Sequence, residues 1–138
     1  KYYRHLSKLN LVLDFKFNHI ALSVKDVTNS IAFYQSIFQF PEIENTASSS
    51  NTRWLEIGEG RQLHIIPRPE AIIKTNKAVH FALSTPDLDV FIQHLNDLNI
   101  EYSDWRGTPT KDYIRKDGIA QVYFQDPDGY WIEVNNAI

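Results

Sequence analysis

The chain has 138 residues, a formal net charge of -3 and 14 Lys and Arg that form no run, which leaves no basic field for a nucleic-acid backbone. It contains no Cys, so disulfides, thiol nucleophiles and thiolate metal sites are excluded, and any metal must be held by imidazole and carboxylate groups. No stretch approaches the ~20 apolar residues of a membrane span and nothing near the start resembles a signal h-region. The expectation is therefore a soluble, cytoplasmic protein without membrane or nucleic-acid partners. The chain opens at Lys1 and contains no Met, which leaves room for a removed leader.

In chain order, residues 1–15 mix basic, aromatic and aliphatic residues ahead of any regular pattern and read as an N-terminal arm. Residues 16–138 are long enough for a single domain. "FNHIALSV" (17–24) reads as a buried strand with a histidine as its misfit. "KDVTNSIAFYQSIFQF" follows as a helix that Asp26 or Thr28 can cap, with Ile31, Tyr34, Ile37 and Phe38 on one face and Pro41 ending it. "PEIENTASSSN" predicts a short edge strand and a polar loop, and "TRWLEIGEGRQLHIIP" a hairpin turning at Gly58-Glu59-Gly60.

The second half repeats the plan. "KAVHFALST" is a strand, and "PDLDVFIQHLNDLNI" is a helix with Pro86 in its first turn and Leu88, Phe91, Ile92, Leu95 and Leu98 on one face. "EYSDWRG" predicts a short strand, and "GIAQVYFQDPDGYWIEV" a hairpin turning at Asp126-Pro127-Asp128-Gly129. "HIALSVKDV" and "HFALSTPDL", 61 residues apart, match at five of nine positions; aligning Gly60 with Gly129, an offset of 69, sets His64 opposite Glu133. An internal repeat of this kind predicts two βαβββ modules (16–69 and 77–137), an α+β fold whose curved mixed sheet forms a cup with the helices outside.

Four polar residues interrupt the apolar strands: His19, His64, His80 and Glu133. Alternation along a strand puts His19 with Ala21 and Ser23, His80 with Ala82 and Ser84, His64 with Gln62 and Ile66, and Glu133 with Trp131 and Asn135. The opposite faces carry Ile20, Leu22, Leu63, Ile65, Phe81, Leu83, Ile132 and Val134, which the helices need for packing. The four thus share the helix-free face, where a pseudo-two-fold axis brings them together. Three imidazoles and a carboxylate suit Zn, Ni, Co, Mn or Fe(II) with positions left for water or substrate. His5, in the arm, and His94, on the polar face of its helix, have no such match and read as solvated. Trp131 and Tyr123 are candidate substrate contacts on the cup face.

"NHIALSVKDVTNSIAFYQSIF", "VHFALST" and "DPDGYWIEV", on this repeated plan, resemble the vicinal oxygen chelate superfamily over about residues 16 to 137. That superfamily includes glyoxalase I, fosfomycin-resistance proteins, bleomycin-binding proteins, methylmalonyl-CoA epimerase and extradiol dioxygenases. The resemblance implies metal ligands on the first and last strands of each module, which here are His19, His64, His80 and Glu133. It also implies a homodimer, with the site inside one chain or across the interface. Two departures stand out: His64 occupies the place where glyoxalase I usually has Glu, and Phe38-Gln39-Phe40 replaces the Leu-Gly-Phe that often ends the first helix.

The leading expectation is a glyoxalase I-like lyase (lactoylglutathione lyase type) that moves a proton next to a carbonyl. Glu133 would act as base and a thiol such as glutathione as co-substrate. The alternatives are an extradiol dioxygenase using His19, His80 and Glu133 with Fe(II), a fosfomycin-type thiol transferase, and a non-catalytic binder of a small ligand such as an antibiotic.

Overall fold

The computed structural model describes residues 12–138. His5 and most of the expected arm lie outside the described residues, and residues 12–17 run exposed and without regular structure into the first strand. The elements are β1 (His19–Val24), α1 (Val27–Phe38), β2 (Glu42–Ile43), β3 (Arg53–Gly58) and β4 (Arg61–Pro67). The same order recurs as β5 (His80–Ser84), α2 (Leu88–Asp97), β6 (Tyr113–Ile114), β7 (Ala120–Gln125) and β8 (Trp131–Asn135).

Each module closes its own four-stranded sheet, in the orders β1-β4-β3-β2 and β5-β8-β7-β6. The helix between first and second strand lets β1 return beside β4, and β5 beside β8, as parallel pairs, whereas the hairpins give antiparallel ones. Each of the two sheets has the first strand of its module at an edge. Alternation holds: Leu22, Val24, Leu63 and Ile65 are buried on the helix side of the first sheet, and Ile132 and Val134 on that of the second.

Both helices start on an aspartate. Asp26 accepts the Asn29 N–H at 3.0 Å and Asp87 the Val90 N–H at 3.1 Å, each satisfying an orphan donor of a first turn. Asp26, not Thr28, is therefore the cap of α1, and Pro86 precedes the cap of α2 rather than sitting in its first turn. α1 ends on Gln39, at φ 59°, whose N–H reaches the Gln35 carbonyl at 2.9 Å; glutamine adopts the left-handed turn that glycine would favour. The short strand expected in "EYSDWRG" is instead a loop touching β7 through one bridge, Ser103 to Tyr123. Asp104 turns the chain there by accepting the Thr108 N–H at 2.8 Å, and the edge strand forms later, at Tyr113–Ile114.

One core joins the modules. Phe33 and Phe38 of α1 meet Phe124 of β7, and Phe38 and Phe124 meet Phe91 of α2. The turn between β7 and β8 latches onto the first module. Tyr34 donates to Asp126 Oδ2 at 2.7 Å, Lys25 N–H to Asp128 Oδ1 at 3.1 Å, and Tyr130 donates to the Ser23 carbonyl at 2.8 Å. Asp126 Oδ1 takes the N–H groups of Asp128 and Tyr130, both at 2.9 Å. Burial pushes the Asp126 carboxyl up, and burial followed by the Asp126 charge pushes the Tyr34 hydroxyl well up. His94 is not simply solvated: its Nε2 meets the Ser36 carbonyl at 2.8 Å and ties α2 to α1.

Candidate metal and substrate site

In the second module, the parallel register pairs Ala82 with Glu133, leaving His80 as Glu133's diagonal neighbour on the same face. His80 Nε2 lies 3.5 Å from Glu133 Oε1. The other ring nitrogen, Nδ1, meets the Lys77 carbonyl at 2.9 Å. A carbonyl only accepts, so Nδ1 is the donor of that bond and Nε2 is the nitrogen turned to Glu133. Glu133, 7% exposed, accepts from the Tyr123 hydroxyl at Oε1, 2.6 Å, and from Asn135 Nδ2 at Oε2, 2.7 Å. Burial and then the Glu133 carboxylate push the Tyr123 hydroxyl up, so it remains a donor.

The first module repeats this geometry with other side chains. Ala21 pairs with His64, and His19 is the diagonal neighbour. The His19 and His64 rings stack with centroids 4.1 Å apart and planes inclined by 13°. Trp54, across from His64 on β3, stacks on its other side at 4.1 Å and 4°. His19 Nδ1 meets Asn18 Oδ1 at 2.6 Å, which leaves its Nε2 free, as in His80. His64 is reversed: Nε2 meets Gln62 Oε1 at 2.8 Å. Burial, and then nearby His19, lower the His64 pKa.

The four sequence-predicted ligands thus stand as two pairs, His19 with His64 and His80 with Glu133, and among the described residues no group of three or more His, Asp or Glu is close enough to hold an ion within one chain. The donor chemistry of the second pair nevertheless fits a divalent cation. Ligand bonds of about 2.0–2.2 Å at tetrahedral or octahedral angles place neighbouring donors roughly 3.0–3.5 Å apart, as His80 Nε2 and Glu133 Oε1 are. Fixing the far nitrogen and both carboxylate oxygens by hydrogen bonds is what orients such ligands.

A cavity of about 510 Å³ opens on this pair, lined by His80, Glu133, Tyr123, Gln121, Trp105 and Arg106 among others. Trp105 is 45% exposed on the loop that follows the Asp104 turn, 6.0 Å from the His80 ring and 5.4 Å from that of Tyr123. Sequence reasoning gave Trp105 no role, since "EYSDWRG" read as a strand; the aspartate three residues before a glycine was the signal for a turn. Tyr123 is among the residues that line the cavity. Trp131 lies beside Lys77, whose ammonium is 4.8 Å from the Trp131 ring, 5.1 Å from Tyr123 and 5.5 Å from Trp105. The same ammonium donates to the carbonyls of Asp104 and Trp105, both at 2.8 Å, pinning the loop beneath the cavity. Burial lowers the Lys77 pKa.

Known proteins agree with this architecture. The chain is 28% identical to Glyoxylase I 4 of Arabidopsis thaliana over 87% of its own length and 70% of that protein's. With Metallothiol transferase FosB of Staphylococcus saprophyticus it shares 32% identity over 87% of this chain and 76% of that one. A solved variant of the fosfomycin resistance protein FosX from Listeria monocytogenes, in complex with Mn(II) and 1S,2S-dihydroxypropylphosphonic acid, has the same fold. Its TM-score is 0.73 at 23% identity, covering 91% of this chain and 95% of that one. The model of the Glyoxalase/Bleomycin resistance protein/Dioxygenase superfamily matches residues 16–134, and the chain belongs to that superfamily.

Proposed function

We propose that the protein is a metal-dependent enzyme that adds a thiol or water to a small oxygen-bearing electrophile, with His19, His80 and Glu133 as ligands at a site completed between two copies of the chain. The observation that carries the reaction class is the state of Glu133. Both of its oxygens are already hydrogen-bonded, to Tyr123 and Asn135, so it is an oriented ligand rather than a mobile base. The first module offers His64 in place of a second carboxylate, so a two-carboxylate proton relay has no second member. An addition needs neither, because the nucleophile brings its own proton. The likeness to a metallothiol transferase points the same way. The likeness to Glyoxylase I 4 supports the second reading, isomerisation beside a carbonyl with Glu133 as base.

In the addition, a C–S bond from the thiol (or a C–O bond from water) forms as a strained C–O bond of an epoxide breaks, and the nucleophile's proton ends on the departing oxygen. A divalent ion, whether Mn, Zn, Ni, Co or Fe(II), supplies positive charge for that oxygen. Tyr123 and Asn135 hold Glu133, the Lys77 carbonyl holds His80, Trp105 walls one side of the cavity, and Arg106 meets an anionic group of the substrate. A cytoplasmic setting, where thiols stay reduced, belongs to the same proposal.

Two features support a homodimer. Five of the six cup-facing residues of the two first strands, His19, Ala21, His80, Ala82 and Ser84, are exposed, Ser23 is half-buried, and both strands are sheet edges. A copy related by a two-fold axis covers them and brings His19 of one chain to His80 and Glu133 of the other.

The test mixes two singly inactive variants, His19→Ala and Glu133→Gln, after co-refolding with Mn(II). A site shared between chains restores one intact site per heterodimer, about a quarter of wild-type turnover for random pairing. No restoration means the ligands come from a single chain. Turnover of fosfomycin with cysteine, glutathione or water against that of a methylglyoxal hemithioacetal decides between the two readings. Oxygen uptake with catechols on the Fe(II)-loaded protein would instead assign a dioxygenase.

A further inference from the structure

Within the metal-site reading above, we infer that His64 is not a fourth ligand but a positioning residue that fixes the plane of His19 through a three-ring stack. The observations concern ring geometry and hydrogen-bond direction. His64 lies between Trp54 and His19 with both centroids 4.1 Å away and planes inclined by only 4° and 13°. Few side-chain rotations of His19 remain open while that contact is kept, because a ring sliding out of a stack loses a whole face of dispersion contacts.

The two histidines that begin the modules engage the same ring nitrogen. His19 Nδ1 is held by Asn18 and His80 Nδ1 by the Lys77 carbonyl, which frees Nε2, the nitrogen at the far end of the ring, in both. His64 spends that same nitrogen on Gln62, leaving only Nδ1, the nitrogen next to its own Cβ. Coordination through Nε2 would require the Gln62 bond to break.

The repeat makes the same point. His64 occupies the register position of Glu133, and Trp54 that of Tyr123. In the second module the cross-strand aromatic donates a hydrogen bond that orients a carboxylate. In the first, the cross-strand aromatic stacks on an imidazole, and the imidazole stacks on the histidine that begins the module. One module thus supplies ligand and orienter as Glu133 and Tyr123, the other as His19 and the His64–Trp54 pair.

The experiment measures Mn(II) binding by calorimetry in wild type, His64→Phe, His64→Ala and His19→Ala, with thermal melts to establish folding. Phe keeps a ring in the stack and removes both nitrogens. A positioning role predicts His64→Phe within about threefold of the wild-type Kd, His64→Ala about ten- to a hundredfold weaker, and His19→Ala without measurable binding. Nitrogen couplings in the pulsed electron paramagnetic resonance of bound Mn(II) should be unchanged by His64→Phe. Loss of binding in His64→Phe equal to that in His19→Ala, or loss of one nitrogen coupling, makes His64 a ligand and overturns the inference. Unchanged affinity in His64→Ala overturns it too. Wild type that binds no Mn(II), Zn(II), Co(II), Ni(II) or Fe(II) defeats the underlying metal reading, a separate outcome. A variant that fails to fold is replaced by His64→Tyr, judged by the same criteria.

Discussion

His64 and Glu133 occupy the same place in their two sheets: His64 faces Ala21 across β1 and β4 as Glu133 faces Ala82 across β5 and β8, 69 residues further on. Their cross-strand partners, Trp54 and Tyr123, are equivalent as well. The two modules share a scaffold and differ in the side chains at these positions, so one pair is acidic and hydrogen-bonded and the other aromatic and stacked.

Tyr123 is the sharpest probe of the acidic pair. Its hydroxyl donates to a buried carboxylate, and hydrogen bonds to charged groups contribute about 1.5–3 kcal/mol. Tyr123→Phe is expected to lower the unfolding free energy by about that much in urea titrations. It should also weaken divalent-metal binding about ten- to a hundredfold by calorimetry, as loss of an outer-shell partner does.

Lys77 should control the loop and not the metal. Lys77→Met keeps the aliphatic stem but removes the ammonium that donates to the Asp104 and Trp105 carbonyls. Hydrogen exchange at the Gly107 and Thr108 amides, which bond back to Asp104, is expected to accelerate at least about tenfold. In turnover assays KM should rise more than kcat falls, with metal affinity unchanged.

Asp126 makes stability depend on pH in a defined direction. Burial raises its pKa above the unfolded value of about 3.9, so the fold binds that proton more tightly than the unfolded chain does. The resulting stabilisation is fully present below about pH 3.9 and is lost as pH rises through the raised folded value. Asp126→Asn keeps the shape and removes the titration. The urea midpoint of wild type minus that of Asp126→Asn is expected to decline from pH 4 upward and then level off.

Gln39→Gly should stabilise the protein slightly. A non-glycine residue in the left-handed region costs roughly 1–2 kcal/mol, while glycine adds about 0.4–1 kcal/mol of chain entropy to the unfolded state. The difference is about 0.8 kcal/mol in favour of glycine, readable as a small rise in urea midpoint at unchanged slope.

Much of this molecule is legible in one dimension. The repeat, the period-2 alternation of its strands and the 3.6-residue stripes of its helices fix two modules and the face each side chain takes, because they depend only on neighbours along the chain. That reasoning puts His19, His64, His80 and Glu133 on the helix-free face. Residues 101–107 form a loop and not the strand their sequence predicts because an aspartate side chain capturing the Thr108 N–H outcompetes strand pairing, a choice that alternation does not register.

Tertiary structure decided the rest. Distances between modules, the seating of the loop and the stacking of the rings depend on groups remote in sequence or facing across a strand, such as Lys77 beneath Trp105 and Trp54 against His64. Order along the chain settles which side chains share a surface; packing sets them in two pairs, His80 beside Glu133 at 3.5 Å and His19 stacked on His64, because side-chain contact is settled by register and rotamer rather than by spacing along the chain.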